Sequence, residues 1–144
     1  MPESSRLAAA PNFAAAHLPP NPTAVLCVDD DQCIVSTLVH IMRSMGLQAE
    51  GASDGQFALN LVAANLERFD VVVTDHRMPI MGGLELVRRL LELGYRGGIV
   101  VHCSPLCPSD QSAYRALGIE HFIPKPSDLV AIVEIVRAAA RCRN

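Results

Sequence analysis

From residue 24 onward the chain alternates short apolar runs with segments whose apolar positions recur every three or four residues. Ala24–Val28 is a continuous apolar run that stops at Asp29-Asp30-Asp31, which predicts a buried strand. Residues 32–45 carry Ile34, Leu38, Ile41 and Met45 at helical spacing, with Val35, Val39 and Met42 as a second stripe and Gly46 as the stop. Two stripes make a wide core face, or they leave part of this helix as a docking surface for a partner helix. Leu47–Gly51 reads as a weak second strand. Ser53-Asp54-Gly55-Gln56 has capping-box spacing, with Ser53 as cap and Gln56 reaching back, and opens a helix to about Asn65. Asp70–Thr74, with its Val71-Val72-Val73 core, predicts the third strand. Leu84, Leu86, Val87, Leu90 and Leu91 predict a helix ending near Gly94. Ile99–His102 is a fourth strand, followed by a short helix capped by Ser109 or Asp110 and stopped at Gly118. His121–Pro124 is a fifth strand, and Ser127 caps a last helix to about Arg141.

Strands alternating with helices argue an α/β fold: a doubly wound, five-stranded parallel sheet with helices on both faces. Residues 1–22 fall outside the pattern. Their Ala triplets and Pro11, Pro19, Pro20 and Pro22 carry no period, so they read as a disordered Ala/Pro-rich tail ahead of one domain over 23–144.

Composition narrows the function classes. The net charge of −3 makes no electrostatic case for direct nucleic-acid binding. No apolar run approaches the roughly 18 residues that suggest a membrane span. The five cysteines are odd in number, contain no CxxC and lack zinc-ligand spacing, which fits a reduced, cytoplasmic setting. Of the 12 basic residues only Lys125 is a lysine.

In a parallel sheet all strands end at one edge, and ligands bind outside it. The first strand ends at Asp29-Asp30, the third at Asp75, the fourth at Cys103-Ser104 and the fifth at Lys125. Two carboxylates about 4 Å apart repel by roughly 4 kcal/mol at an effective dielectric of 20, so three converging acids need a proton or a cation. All-oxygen ligands suit Mg²⁺, with Lys125 balancing the remaining charge. Such a site can do phosphoryl transfer with Asp75 as nucleophile and Asp29 and Asp30 as metal ligands.

Val25-Leu26-Cys27-Val28-Asp29-Asp30-Asp31, Val72-Val73-Thr74-Asp75 with Met78-Pro79 and Gly83, and Lys125-Pro126 together resemble the receiver domain of bacterial two-component response regulators (CheY-like, flavodoxin-like) over about residues 23–142. The resemblance implies that a sensor histidine kinase or a phosphotransfer protein phosphorylates Asp75. It implies Mg²⁺ bound by Asp29, Asp30, Asp75 and the Arg77 carbonyl, and Lys125 on the phosphoryl oxygen with a cis bond to Pro126. It also implies a switch that catalyses only its own phosphorylation and dephosphorylation. Its output is a protein-binding face around the fourth helix, fifth strand and fifth helix, with a homodimer as one use of that face.

Two positions, the end of strand four and Gly82, depart from the family pattern. Its Thr or Ser at the end of strand four falls on Cys103, with Ser104 next, and a thiol is a weak donor. Its switch aromatic matches Phe122, which has no hydroxyl. Gly82 stands where Asp or Asn is frequent. His76 and Arg77 flank the nucleophile, where they can tune the lifetime of an acyl phosphate. Read as it stands, the chain carries no output domain. The rivals are a phosphorylation-independent interaction module, motivated by Cys103, and a hydrolase using Asp75, whose usual second acid is replaced by Arg77.

Overall fold

In a computed structural model, residues 22–141 are described. The Ala/Pro-rich segment apart from Pro22, and Cys142, lie outside the described residues. Five strands, β1 (Ala24–Val28), β2 (Gln48–Ala52), β3 (Val71–Thr74), β4 (Gly98–Cys103) and β5 (His121–Pro124), form one parallel sheet in the order β2-β1-β3-β4-β5. Five helices intervene: α1 (Gln32–Ser44), α2 (Gly55–Ala64), α3 (Gly83–Leu93), α4 (Pro108–Ala116) and α5 (Leu129–Arg141).

The three central strands, β1, β3 and β4, are apolar and largely buried because helices cover both faces, which leaves no solvent side to impose alternation; the edge strands β2 and β5 are only partly buried. On one face Leu26, Val72, Val101 and Cys103 pack with Val62 of α2, Leu86 and Leu90 of α3, and Tyr114 of α4. On the other, Val25, Val73, Val100 and Ile123 pack with Leu38 and Met42 of α1 and Val133 and Val136 of α5. Both stripes of α1 reach the core: Val35 and Met42 of the second and Leu38 of the first are buried, while Ile34, Val39, Ile41 and Met45 are half-buried against the same core. The wide core face is therefore real.

Helix starts differ from expectation in three places. The α2 cap is Asp54, whose carboxylate accepts from the Phe57 N–H at 2.8 Å, so Ser53 is not the cap; Gln56 bonds Asn60 instead of reaching back. Cys107 stands at the α4 cap with Pro108 following, where a missing N–H costs nothing, so neither Ser109 nor Asp110 is the cap. Asp128, not Ser127, bonds the Val130 N–H at 2.9 Å to start α5, and the Ser127 hydroxyl is buried without a protein partner. Asp31, assigned nothing beyond the acidic run, caps α1 through the Cys33 N–H at 2.9 Å. Gly82 is the uncapped start of α3, where glycine costs only a few tenths of a kcal/mol relative to a capping side chain.

Candidate functional site

The strand order turns in opposite directions from β1 and from β3, so a crevice opens beyond their shared carboxyl ends. Register carries the acids into it. Val28 pairs with Thr74, and the Asp75 N–H continues the ladder to the Val28 carbonyl at 3.0 Å. Asp29 leaves β1 with its N–H on the Ala52 carbonyl at 3.2 Å. A carboxylate oxygen from each of Asp29, Asp30 and Asp75 lies within 4.8 Å of the others.

Asp29 is 1 % exposed, yet both its oxygens are engaged: Oδ1 accepts from the Asp31 N–H at 2.9 Å and Oδ2 from Lys125 Nζ at 2.8 Å. Asp75 Oδ1 accepts from the His76 N–H at 2.7 Å, and Oδ2 stands 3.3 Å from Lys125 Nζ. Lys125 follows β5, and its N–H bonds the Cys103 carbonyl at 2.9 Å, which fixes where its stem begins. The Lys125–Pro126 peptide is cis. Asp30 and Arg77 are exposed at the rim.

Burial, then the charge of Asp29, pushes the Asp75 carboxyl above its ordinary 3.8, against the pull of the His76 N–H and Lys125. Burial alone would lower Lys125, but the bond and charge of Asp29 and then of Asp75 outweigh it and hold the ammonium above 10.5. Three carboxylates against one ammonium leave the crevice short of positive charge. This all-oxygen set of acids fits a hard divalent cation such as Mg²⁺.

Beside the acids lies a cavity of about 250 Å³, lined in part by Asp75, Arg77, Cys103, Ser104 and Lys125. Cys103 is the last residue of β4, is buried, and faces the α2–α3–α4 side. Burial, then the Asp75 charge, pushes its thiol up to about 11, so it stays protonated. Ser104 is exposed. Phe122 is half-buried, edge-on to Tyr114 at 5.9 Å, with the Arg115 guanidinium 5.6 Å over its ring.

The sequence reading missed Tyr114. Its hydroxyl lies 2.6 Å from His76 Nδ1, and His76 Nε2 lies 3.2 Å from Asp110 Oδ2. A Cβ on Gly83 would come within 2.8 Å of that hydroxyl and 2.2 Å of the Asp75 carbonyl oxygen, so glycine is required there. The signal available was that Tyr114 is the one large apolar side chain in the otherwise polar or small run Pro108–Ala116.

A wound parallel sheet whose carboxyl edge gathers three acids and a lysine defines an α/β domain with an acidic, cation-ready crevice. The chain belongs to the response regulator receiver domain family, whose model matches residues 25–137. It is 34 % identical over 120 residues to the response regulator MprA of Mycolicibacterium vanbaalenii, an alignment covering 83 % of this chain and 51 % of that protein. The chain thus spans about half the length of the curated relatives it matches. Among solved structures it resembles the Vibrio cholerae chemotaxis protein CheY4, with TM-score 0.74, 27 % identity and coverage of 82 % of this chain and 98 % of that one. It also resembles a chain in the CheX–CheY–BeF3–Mg²⁺ complex from Borrelia burgdorferi, with TM-score 0.76, 25 % identity and coverage of 82 % and 89 %. No helix among the described residues is long and apolar enough to cross a membrane.

Proposed function

We propose that this receiver domain takes a phosphoryl group from a phosphohistidine of a sensor kinase or phosphotransfer protein onto Asp75, in the cytoplasm, and so switches a protein-binding face. The observation that carries the reading is the meeting of Asp29, Asp30 and Asp75 within 4.8 Å under a single lysine. Asp29, Asp30, Asp75 and the Arg77 carbonyl would hold Mg²⁺, which would offset the charge of the acids and of the phosphoryl oxygens. An Asp75 oxygen attacks phosphorus; the P–N bond breaks and its electron pair leaves with the donor imidazole, which takes up a proton. Lys125 stands against a developing phosphoryl oxygen as a point charge. Water attacking the same phosphorus later restores the carboxylate and releases phosphate, with His76 and Arg77 flanking its approach.

The partner-facing parts of the reading rest on two surfaces. The cavity of about 480 Å³ between α1 and the start of α5, walled by Cys33, Ile34, Leu129 and Lys125, offers a phosphodonor helix an apolar seat beside the crevice. Downstream recognition falls to α4, β5 and α5, where Phe122 is half-buried and sensitive to repacking. Cys103 stands at the strand-end position, with the exposed Ser104 hydroxyl next to it as the other candidate for the role.

Intact mass after incubation with Mg²⁺ and acetyl phosphate tests the chemistry. One Mg²⁺-dependent phosphoryl adduct is expected on the parent chain and none on Asp75→Asn. No adduct, together with an NMR spectrum indifferent to beryllofluoride and Mg²⁺, would leave the second reading: a binding module that keeps the fold without the reaction. Cys103 favours that alternative, since the S–H of a thiol is a weak hydrogen-bond donor to phosphate oxygens.

A further inference from the structure

Two features of the site are unexplained by phosphoryl transfer alone. The strand-end position holds a thiol, and the β5 aromatic lacks a hydroxyl. A buried hydroxyl is nonetheless present beside the phosphoacceptor, on α4. Tyr114 is fully buried, and its oxygen is 2.6 Å from the ring of the residue that follows Asp75.

We propose that His76 and Tyr114 are the positioning pair through which the state of Asp75 reaches α4 and Phe122; the inference rests on Asp75 being the phosphoacceptor. The contacts form an unbroken series. The His76 N–H donates to Asp75 Oδ1 at 2.7 Å. The His76 ring holds α4 at both ends, by Asp110 in its first turn at 3.2 Å and by Tyr114 in its last at 2.6 Å. Tyr114 in turn presents its ring to Phe122 edge-on, 5.9 Å between centroids and 76° between planes.

Donor and acceptor roles follow from what each group can do. The Asp110 carboxylate only accepts, so His76 Nε2 donates to it, and the Tyr114 hydroxyl, which can donate or accept, pairs with Nδ1. Burial keeps that hydroxyl protonated. The pair is built tightly, since Gly83 leaves no room for a Cβ against either the Tyr114 oxygen or the Asp75 carbonyl. A phosphoryl group on Asp75 adds charge and oxygen acceptors to the carboxylate on which the His76 N–H is anchored. Moving that N–H moves the imidazole, and the imidazole cannot move without lengthening its bonds to α4. The signal therefore leaves through the β3–α3 loop into α4, bypassing the thiol at the end of β4.

The test separates uptake from response. The parent chain, Tyr114→Phe and Cys103→Ala are loaded with beryllofluoride and Mg²⁺ and compared by amide NMR, with acetyl-phosphate uptake followed by intact mass. Tyr114→Phe keeps the buried ring and removes only the hydroxyl. It is expected to take the phosphoryl group within about twofold of the parent while losing more than half of the shift changes over residues 108–122. Cys103→Ala is expected to keep most of them. A Tyr114→Phe response as large as the parent's, at equal loading, would overturn the relay and leave the phosphoacceptor reading intact. A parent chain that takes no phosphoryl group would overturn both. Should Tyr114→Phe fold poorly by thermal melt, His76→Leu breaks the same bond from the loop side and is held to the same criterion per loaded molecule.

Discussion

Lys125 reaches from the end of β5 to Asp29 at the end of β1, placing Nζ 2.8 Å from a carboxylate oxygen 96 residues away in sequence. The same ammonium lies 3.3 Å from Asp75, so one cation serves two buried acids. Lys125→Met leaves those acids facing each other. Removing one partner of a largely buried pair costs about 1–3 kcal/mol. In Mg²⁺-free buffer the variant is expected to unfold that much more easily in urea. It is also expected to gain more stability from added Mg²⁺ than the parent does. Equal Mg²⁺ gains in the two chains would contradict the shared-charge account.

Asp75 contributes with the opposite sign. Its carboxyl is held above 3.8 by burial, so the folded chain binds that proton more tightly than the unfolded chain does. The stability this supplies is present below pH 3.8 and is lost as pH rises through the folded value. At neutral pH without metal the ionised acid is a cost. Asp75→Asn removes it and is expected to stabilise the metal-free domain at pH 7. The difference should shrink as the pH is lowered toward 3.8. Urea midpoints measured across that range check it, and a gap that widens on acidification would reverse the sign assigned here.

Cys103→Thr puts an O–H donor at the end of β4. Burying the hydroxyl without a partner costs about 1 kcal/mol or more in the unloaded state. In the loaded state the hydroxyl meets a phosphoryl oxygen, and a bond worth about 1 kcal/mol corresponds to roughly fivefold tighter beryllofluoride uptake. Titration followed by NMR reads both. An unchanged midpoint would mean that this position does not face the loaded group.

The α2 cap discriminates between adjacent residues. Asp54→Ala removes the 2.8 Å bond to the Phe57 N–H and is expected to cost about 1 kcal/mol. Ser53→Ala, one residue earlier, is expected to change stability by less than about 0.5 kcal/mol. Thermal or urea melts of the two variants decide between the caps.

Much of this domain could be read before any coordinate was known. The apolar runs located β1 and β3 closely, because a parallel strand covered on both faces reads as a near-continuous apolar run. Asp29, Asp75 and Lys125 were legible as one site because every strand of a parallel sheet ends at the same edge, so residues following strands share a neighbourhood whatever their separation. The choice of Asp54 over Ser53 and of Asp128 over Ser127 was not legible. Both members of each pair are good caps, and the backbone path of the turn selects one of them.

The sequence alone thus determined the class of fold and the set of groups at its edge, since hydrophobic period is local and strands alternating with helices imply a parallel sheet. Tertiary structure decided the order β2-β1-β3-β4-β5, the sharing of Lys125 between Asp29 and Asp75, and the bond from His76 to Tyr114. None of these has a local signature. The His76–Tyr114 bond depends on where α4 comes to rest 38 residues further along, and a fit of a few tenths of an ångström is set by the packing of the whole face.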